Sequence, residues 1–365
     1  MESSLTSFGR KPSDLGNVLM RVALTNNSSS ATAVLRSLLA LSSLHRYGVQ
    51  AQAIELKILS LEALAQASCS KSSLSSSEVI QHIAAGMLLC SFESSCTSGQ
   101  WAYYIAGVKK LLSVCSLQRP HENDDFAALM DWLYYHDVMT RFTLRHWHGE
   151  VISSPSTVWR EVYILQPPAL SLRRSCISRQ PSSASALPEL LSEFCNALPV
   201  PSSEIATKEG LEDHKGFLRI LDWRTRTVPV FLEPDENPEM TTIVELYRLA
   251  ILVYMNRVSE NILDQAARIQ GYIDQAFTLF SRLTSCERQF PIFILGCEAR
   301  TDDQRATIMG LISRTEIKMS SRSFNHITLL LHAVWAQDDL ADGELNYSRK
   351  LTSIISLCNI APSLV

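Results

Sequence analysis

Apolar residues recur at three- and four-residue intervals through most of the chain, the period of helices that bury one face. Val34, Leu38, Leu41 and His45 share a face, Leu35 and Leu39 widen it, and Gly48 follows where a helix C-terminus favours glycine. Ile54, Ile58, Leu61 and Ala65 predict the inward stripe of the next helix. Ser75 and Glu78 have the spacing of a capping box, in which each side chain bonds the other's backbone amide. The helix it opens turns Ile80, Ile83, Met87 and Cys90 inward, and Trp101, Ile105, Val108 and Leu112 form another stripe. Asn123-Asp124-Asp125 then caps a stripe of Phe126, Leu129 and Leu133, its acidic residues suiting the helix dipole.

The pattern changes at 149–210. Pro155, Pro167, Pro168, Pro181, Pro188, Pro199 and Pro201 remove backbone donors there, and serine is dense between 171 and 185. This predicts a partly ordered connection with one short helix near Leu187 to Leu198. Helical period returns at Thr241, with Ile243, Leu246, Ala250 and Val253 on one face. Ala266, Ile269, Ile273, Phe277 and Phe280 make the cleanest stripe, before Ile308, Leu311 and Thr315, then Phe324, Ile327, Leu331 and Val334 with Trp335 alongside. No strand-like alternation exceeds four residues outside 228–232, and no fixed repeat emerges. The expected fold class is all-α, a multi-helix array or bundle with a Pro/Ser-rich central connection. Its expected divisions are a flexible tail at 1–30, an N-terminal helical half at 31–148, the connection at 149–210 and a C-terminal helical half at 211–365.

Composition narrows the function classes. The 365 residues are 46% hydrophobic, enough for a real core, and the length predicts two or three units at ~150 residues each. Only 13 glycines are present, fewer than a Rossmann sheet or β-sandwich would need for its turns. The net charge of −4, with basic residues no denser than pairs such as Lys109-Lys110, argues against a grip on DNA by this chain alone. Nine cysteines, odd in number and mostly within apolar helical patterns, predict reduced intracellular thiols. No Cys-x-x-Cys occurs, so a zinc module lacks its strongest signal. The first eleven residues are polar, and the longest apolar run, Leu249 to Met255, falls short of the ~20 residues of a membrane span. These features predict a soluble, non-exported protein.

Candidate chemistry is sparse. His136-Asp137 on a helix is the pairing that helical metal-dependent phosphohydrolases use to make hydroxide from water, and it would need His82 upstream and a further carboxylate, Asp213 being the next Asp in sequence. The plainer alternative is a half-buried pair bonding across helices. His146-Trp147-His148 resembles a ligand pair only in a strand, and at a helix end it reads as C-terminal capping. Cys297 follows the apolar run Phe290 to Leu295 and reads as a packed thiol, not a nucleophile. The six tryptophans at 101, 132, 147, 159, 223 and 335 lack interleaved basic residues and read as core or groove-lining. Glycine phosphate loops, Gly-x-Ser-x-Gly and His-Glu-x-x-His do not occur. No catalytic, cofactor-binding or metal-ligating residue is therefore assigned, and no cofactor is expected.

Several stretches together resemble one family. Leu38 to Arg46 and Gln81 to Glu93 are similar to its first and third core helices. Trp132-Leu133-Tyr134-Tyr135-His136-Asp137-Val138-Met139-Thr140-Arg141-Phe142 is closer still, and Pro291-Ile292-Phe293-Ile294-Leu295-Gly296-Cys297-Glu298-Ala299 resembles a late signature, followed by a segment ending Val334-Trp335. This is the fungal-specific transcription factor domain, the helical regulatory region C-terminal to a six-cysteine zinc cluster, including the acriflavine-sensitivity-control type. The similarity runs from about residue 18 to 357 and rests on the order and spacing of these stretches. It implies a nuclear, non-enzymatic regulator of metabolic or secondary-metabolite genes, with His136, Asp137, Arg141 and Trp147 architectural. It also implies a preceding zinc cluster, for which none of these cysteines has the spacing, so direct DNA binding is not expected of this chain. Regulation is expected to run through protein partners or a small-molecule effector, with a homo- or heterodimer as one possible assembly and no membrane contact. The alternatives are the phosphohydrolase of His82, His136 and Asp137, or a purely structural scaffold.

Overall fold

A computed structural model of the chain describes residues 12–69, 74–95, 100–115, 124–147, 186–197, 208–229, 238–319, 324–341, 343, 346–358 and 362–365. Fourteen helices and no strand occur among them. The all-α expectation therefore holds. The chain divides into two compact units, residues 1–140 with 152–180 and residues 141–151 with 181–365.

The first unit contains α1 (Pro12–Ala23), α2 (Ser29–Tyr47), α3 (Ala51–Cys69), α4 (Ser76–Ser94), α5 (Trp101–Val114) and the first part of α6 (Asp124–His146). Ser28 caps α2 by accepting from the Ala31 amide, and Gly48 ends it at φ 76°, a conformation that glycine adopts without a Cβ penalty. The capping box at α4 forms as its spacing predicts: Glu78 Oε2 accepts from the Ser75 amide at 2.9 Å, and Ser75 Oγ accepts from the Glu78 amide. Helix α4 is buried almost all round and packs against α2 and α5. Gly86 is the close approach to α5, since a Cβ there would lie 2.6 Å from Val108 Cγ2.

Helix α3 reverses the expected orientation. Ile54, Ile58 and Leu61 are 43%, 50% and 37% exposed, and Ala65 is exposed with them. The buried face is instead Ala53, Ser60, Ala63 and Ala67. Small side chains let α3 lie close to α2, where Ser60 Oγ sits 2.6 Å from Ser37 Oγ and donates to the Ala33 carbonyl at 3.0 Å. Arg36 donates to the Leu59 carbonyl at 2.8 Å across the same contact. Hydroxyl pairing and small size won over side-chain hydrophobicity. Leu39, on α2, is likewise exposed.

The second unit contains the end of α6, then α7 (Ala186–Ala197), α8 (Lys208–Thr227), α9 (Pro238–Val258), α10 (Ala266–Arg282), α11 (Gln289–Gly296), α12 (Asp302–Met319), α13 (Asn325–Leu340) and α14 (Tyr347–Leu357). Helix α9 is its axis. Residues 249–255 are buried without interruption, and the helix touches α7, α8, α10, α11 and α14. All eight residues of α11 are buried. Gly296 lets α13 approach, for a Cβ would come within 2.9 Å of Leu331 Cδ2, and its carbonyl accepts from Trp335 Nε1 at 2.9 Å. The stripes on α9, α10, α12 and α13 face inward as their periods predict, with Ala276 joining the α10 stripe and Ala266 exposed.

Helix α7 lies where one short helix is expected, while most of the Pro/Ser-rich connection falls outside the described residues. So does most of the 228–232 alternation. Residues 12–23, read from the sequence as part of a tail, form α1, because Leu15, Val18, Leu19 and Val22 make a buried stripe. Helices α8 and α14 also lack a sequence expectation; the buried face of α8 includes Asp222 and Thr225, which dilute its apolar signal.

Two outcomes follow for stability. Gly86→Ala should cost about 1–3 kcal/mol by overpacking against Val108, measured by urea unfolding. His45 is held neutral by burial, its pKa lowered to about 4. An unfolded imidazole titrates near 6.5, so between pH 6.5 and 4 the unfolded chain binds the extra proton. Stability should therefore fall as pH drops through that window, and His45→Gln should flatten the fall in unfolding curves recorded from pH 7 to 4.

Candidate functional site

The sequence directs attention to α6. Asp137 turns into the first unit, where its Oδ1 accepts from Lys109 Nζ of α5 at 2.9 Å, with both side chains almost wholly buried, at 0% and 2% exposure. In such a pair each charge offsets part of the other's desolvation cost, which is several kcal/mol for one ion alone. His136 Nδ1 lies 3.9 Å from Cys90 Sγ of α4, and its ring meets those of Trp132 and Tyr135 edge-on. His82 donates from Nδ1 to the Glu78 carbonyl of its own helix at 2.8 Å. Asp213 lies in the second unit.

No group of three or more His, Cys, Asp or Glu side chains among the described residues is arranged to hold a metal ion. The phosphohydrolase alternative built on His82, His136 and Asp137 is therefore not supported. Its carboxylate is engaged by an ammonium, and a metal would have to displace that partner. The plainer expectation, a pair bonding across helices, describes what these residues do.

Farther along α6 the residues serve the second unit. Arg141 donates to Asn196 Oδ1 at 3.2 Å and Arg145 to the Cys195 carbonyl at 3.0 Å, both on α7. Thr143 donates to the Pro362 carbonyl at 2.6 Å. His146 does not cap the helix end. It is buried, with Nε2 hydrogen-bonded to the Tyr254 hydroxyl at 2.7 Å and Nδ1 3.3 Å from Thr352 Oγ1. His148 lies outside the described residues. Tyr254 is ringed by Phe142, His146 and Phe194, and burial holds its phenol protonated far above the usual range. Phe290 stacks on Tyr247 and meets Phe142 edge-on.

The late signature is a second ionic centre. Glu298, two residues beyond α11, accepts from Arg257 of α9 through both oxygens, at 3.2 and 2.8 Å. Asp338 of α13 accepts from Arg300 at 3.0 Å and from Lys350 of α14 at 2.8 Å. Arg305 grips Asp339 bidentately. Cys297 is fully buried and desolvation pushes its thiol up, away from the thiolate that a nucleophile requires, as it does for Cys90. Burial likewise pushes Cys195 and Cys286 up to about 12.

A shallow cleft of about 200 Å³ lies between α7 and α8, lined by Ala186, Glu189, Leu190, Arg224, Thr227 and Val228. That is less than the ~300–1,000 Å³ of ordinary small-molecule pockets. Its Arg224 is already bonded to Glu193. Nearby on α8, Trp223 is 59% exposed, whereas Trp101 and Trp132 are core residues; the sequence reads the tryptophans as core or groove-lining. Its place on a mostly polar helix was the available signal. Trp159 lies outside the described residues.

Lys109→Met should destabilise the chain by about 3–5 kcal/mol by removing the ammonium that balances the buried Asp137 carboxylate, whereas the double variant Lys109→Met with Asp137→Leu should recover most of that loss. Urea unfolding of the three proteins measures the difference.

The helices are braced by buried ions, without an assembled reaction centre among the described residues. No solved structure matches the chain. A curated protein, Transcription factor iacI of Pestalotiopsis fici, is 45% identical over 368 residues, covering 99% of this chain and 92% of the relative. Residues 3–358 match the fungal specific transcription factor domain, and over that span the chain belongs to this family.

Proposed function

We propose that this chain is a nuclear regulatory region that controls transcription through protein contacts and does not act as an enzyme. One observation carries the reading: the groups an enzyme would need, Asp137, Glu298 and Cys297, are occupied in holding helices together or are buried in protonated form. The name of its relative, a transcription factor, supports the same role. The net charge of −4 supports regulation through partners over a direct grip on DNA. Target genes of metabolism or secondary metabolism follow from the resemblance of the signature stretches. A small effector would act by binding one helical packing better than another, since a ligand shifts an equilibrium only by its differential affinity.

The test is recruitment. Fused to a heterologous DNA-binding domain in a fungal host, the chain should change transcription of a reporter severalfold, and a fluorescent fusion should accumulate in the nucleus. An unchanged reporter, with the fusion expressed and bound upstream of it, would count against the proposal.

A further inference from the structure

The face of α3 turned away from α2 carries larger apolar side chains than the face it buries. Ala51, Ile54, Ile58, Leu61 and Ala65 are exposed along one ridge, while Ala53, Ser60, Ala63 and Ala67 make the buried side. A single exposed isoleucine or leucine needs no explanation. Three at i, i+4 and i+7 on one helix are the spacing by which a second helix is held.

Charge says which kind of helix. Glu55 and Glu62 stand on one flank of the ridge, seven residues or ~10.5 Å apart, and both are exposed. Neither has an ion pair or hydrogen bond among the described residues. Arg36 of α2, which reaches α3, donates to the Leu59 carbonyl instead. On the other flank Lys57 turns away: its ammonium is held by the buried Glu93 and packs over Phe92, 5.7 Å from the ring centroid. The ridge is thus bordered by two uncompensated carboxylates, and α3 has no second cation. Another copy of α3 would bring like charges and no free ammonium to meet them. An anionic lipid surface or a nucleic-acid backbone would be repelled in the same way. What fits is a helix with its own apolar stripe and a Lys or Arg at two positions seven residues apart, each meeting one carboxylate.

We propose that the outward face of α3 docks a basic amphipathic helix of a partner protein, its apolar residues on Ile54, Ile58 and Leu61 and its cations on Glu55 and Glu62. This rests on the regulatory reading above and adds to it a surface and the chemistry of the partner. A contact along one such helix buries less than the ~1,200 Å² of a standard interface, so the complex is transient.

Fluorescence anisotropy of a labelled peptide titrated with the full chain tests this. The probe is an amphipathic peptide of about three heptads with leucine at a and d and lysine at e and g; the control carries glutamate in place of lysine. Charges of one sign on each peptide discourage it from pairing with itself. The lysine peptide should bind about tenfold tighter than the glutamate peptide, a preference that shrinks as salt is raised. Ile58→Gln should abolish binding, with Leu61→Gln as the second variant if the first unfolds. Both residues are exposed, so thermal unfolding should stay near that of the parent. Glu55→Lys with Glu62→Lys should invert the preference. Equal binding of the two peptides, no binding, or binding that survives both ridge variants overturns the proposal. So does a dimer in sedimentation that Ile58→Gln removes, which gives the ridge to a second copy. The reporter fusion tests the regulatory reading on its own: a responsive reporter with no peptide bound overturns the docking site alone.

Discussion

An ammonium and a carboxylate buried together are the constraint around which the first unit is arranged. Lys109 and Asp137 offset each other's charge inside it while α5 and α6 keep the two within hydrogen-bond distance. Oil-like packing tolerates sliding by a fraction of a turn, and a buried ion pair does not. The close approach of α4 to α5 at Gly86 and the Cys90–His136 contact thus belong to helices whose register the pair restricts. The second unit repeats the solution with Glu298 bound to Arg257 and Asp338 bound to Lys350 and Arg300. In both units the charged residues of the signature stretches act as braces.

That arrangement explains why an enzyme-like pattern arises without enzyme-like chemistry. A His-Asp dipeptide on a helix is ambiguous until its partners are known, because the same two residues serve a metal or a cation. Here the deciding residue is Lys109, which reads in sequence as one half of a basic pair. Its side chain crosses to α6 instead.

Long-range features were the least legible in the sequence. Local ones came through: the Ser75–Glu78 box, the Gly48 terminus, the inward stripes of α4, α9, α10, α12 and α13, and α7. Each depends on neighbours within a turn or two. Helix α3 was misoriented because the hydrophobic rule assigns the largest apolar side chains to the core, whereas a serine–serine contact and alanines set its inner face. Helix α8 carries Asp222 and Thr225 inward, which hides its period. The His146–Tyr254 bond joins residues 108 positions apart, and nothing near either one announces the other.

Helix α11 has a consequence for how the second unit comes into being. Eight residues are too few to hold a helix in water, so Phe290 to Leu295 become helical only when neighbours are already in place. Two of those neighbours, α12 and α13, lie C-terminal to it in the chain. During synthesis this run therefore emerges before part of its own shelter exists. For that interval it is an adhesive segment and a natural client for chaperones, with only Pro291 to discourage it from pairing as a strand.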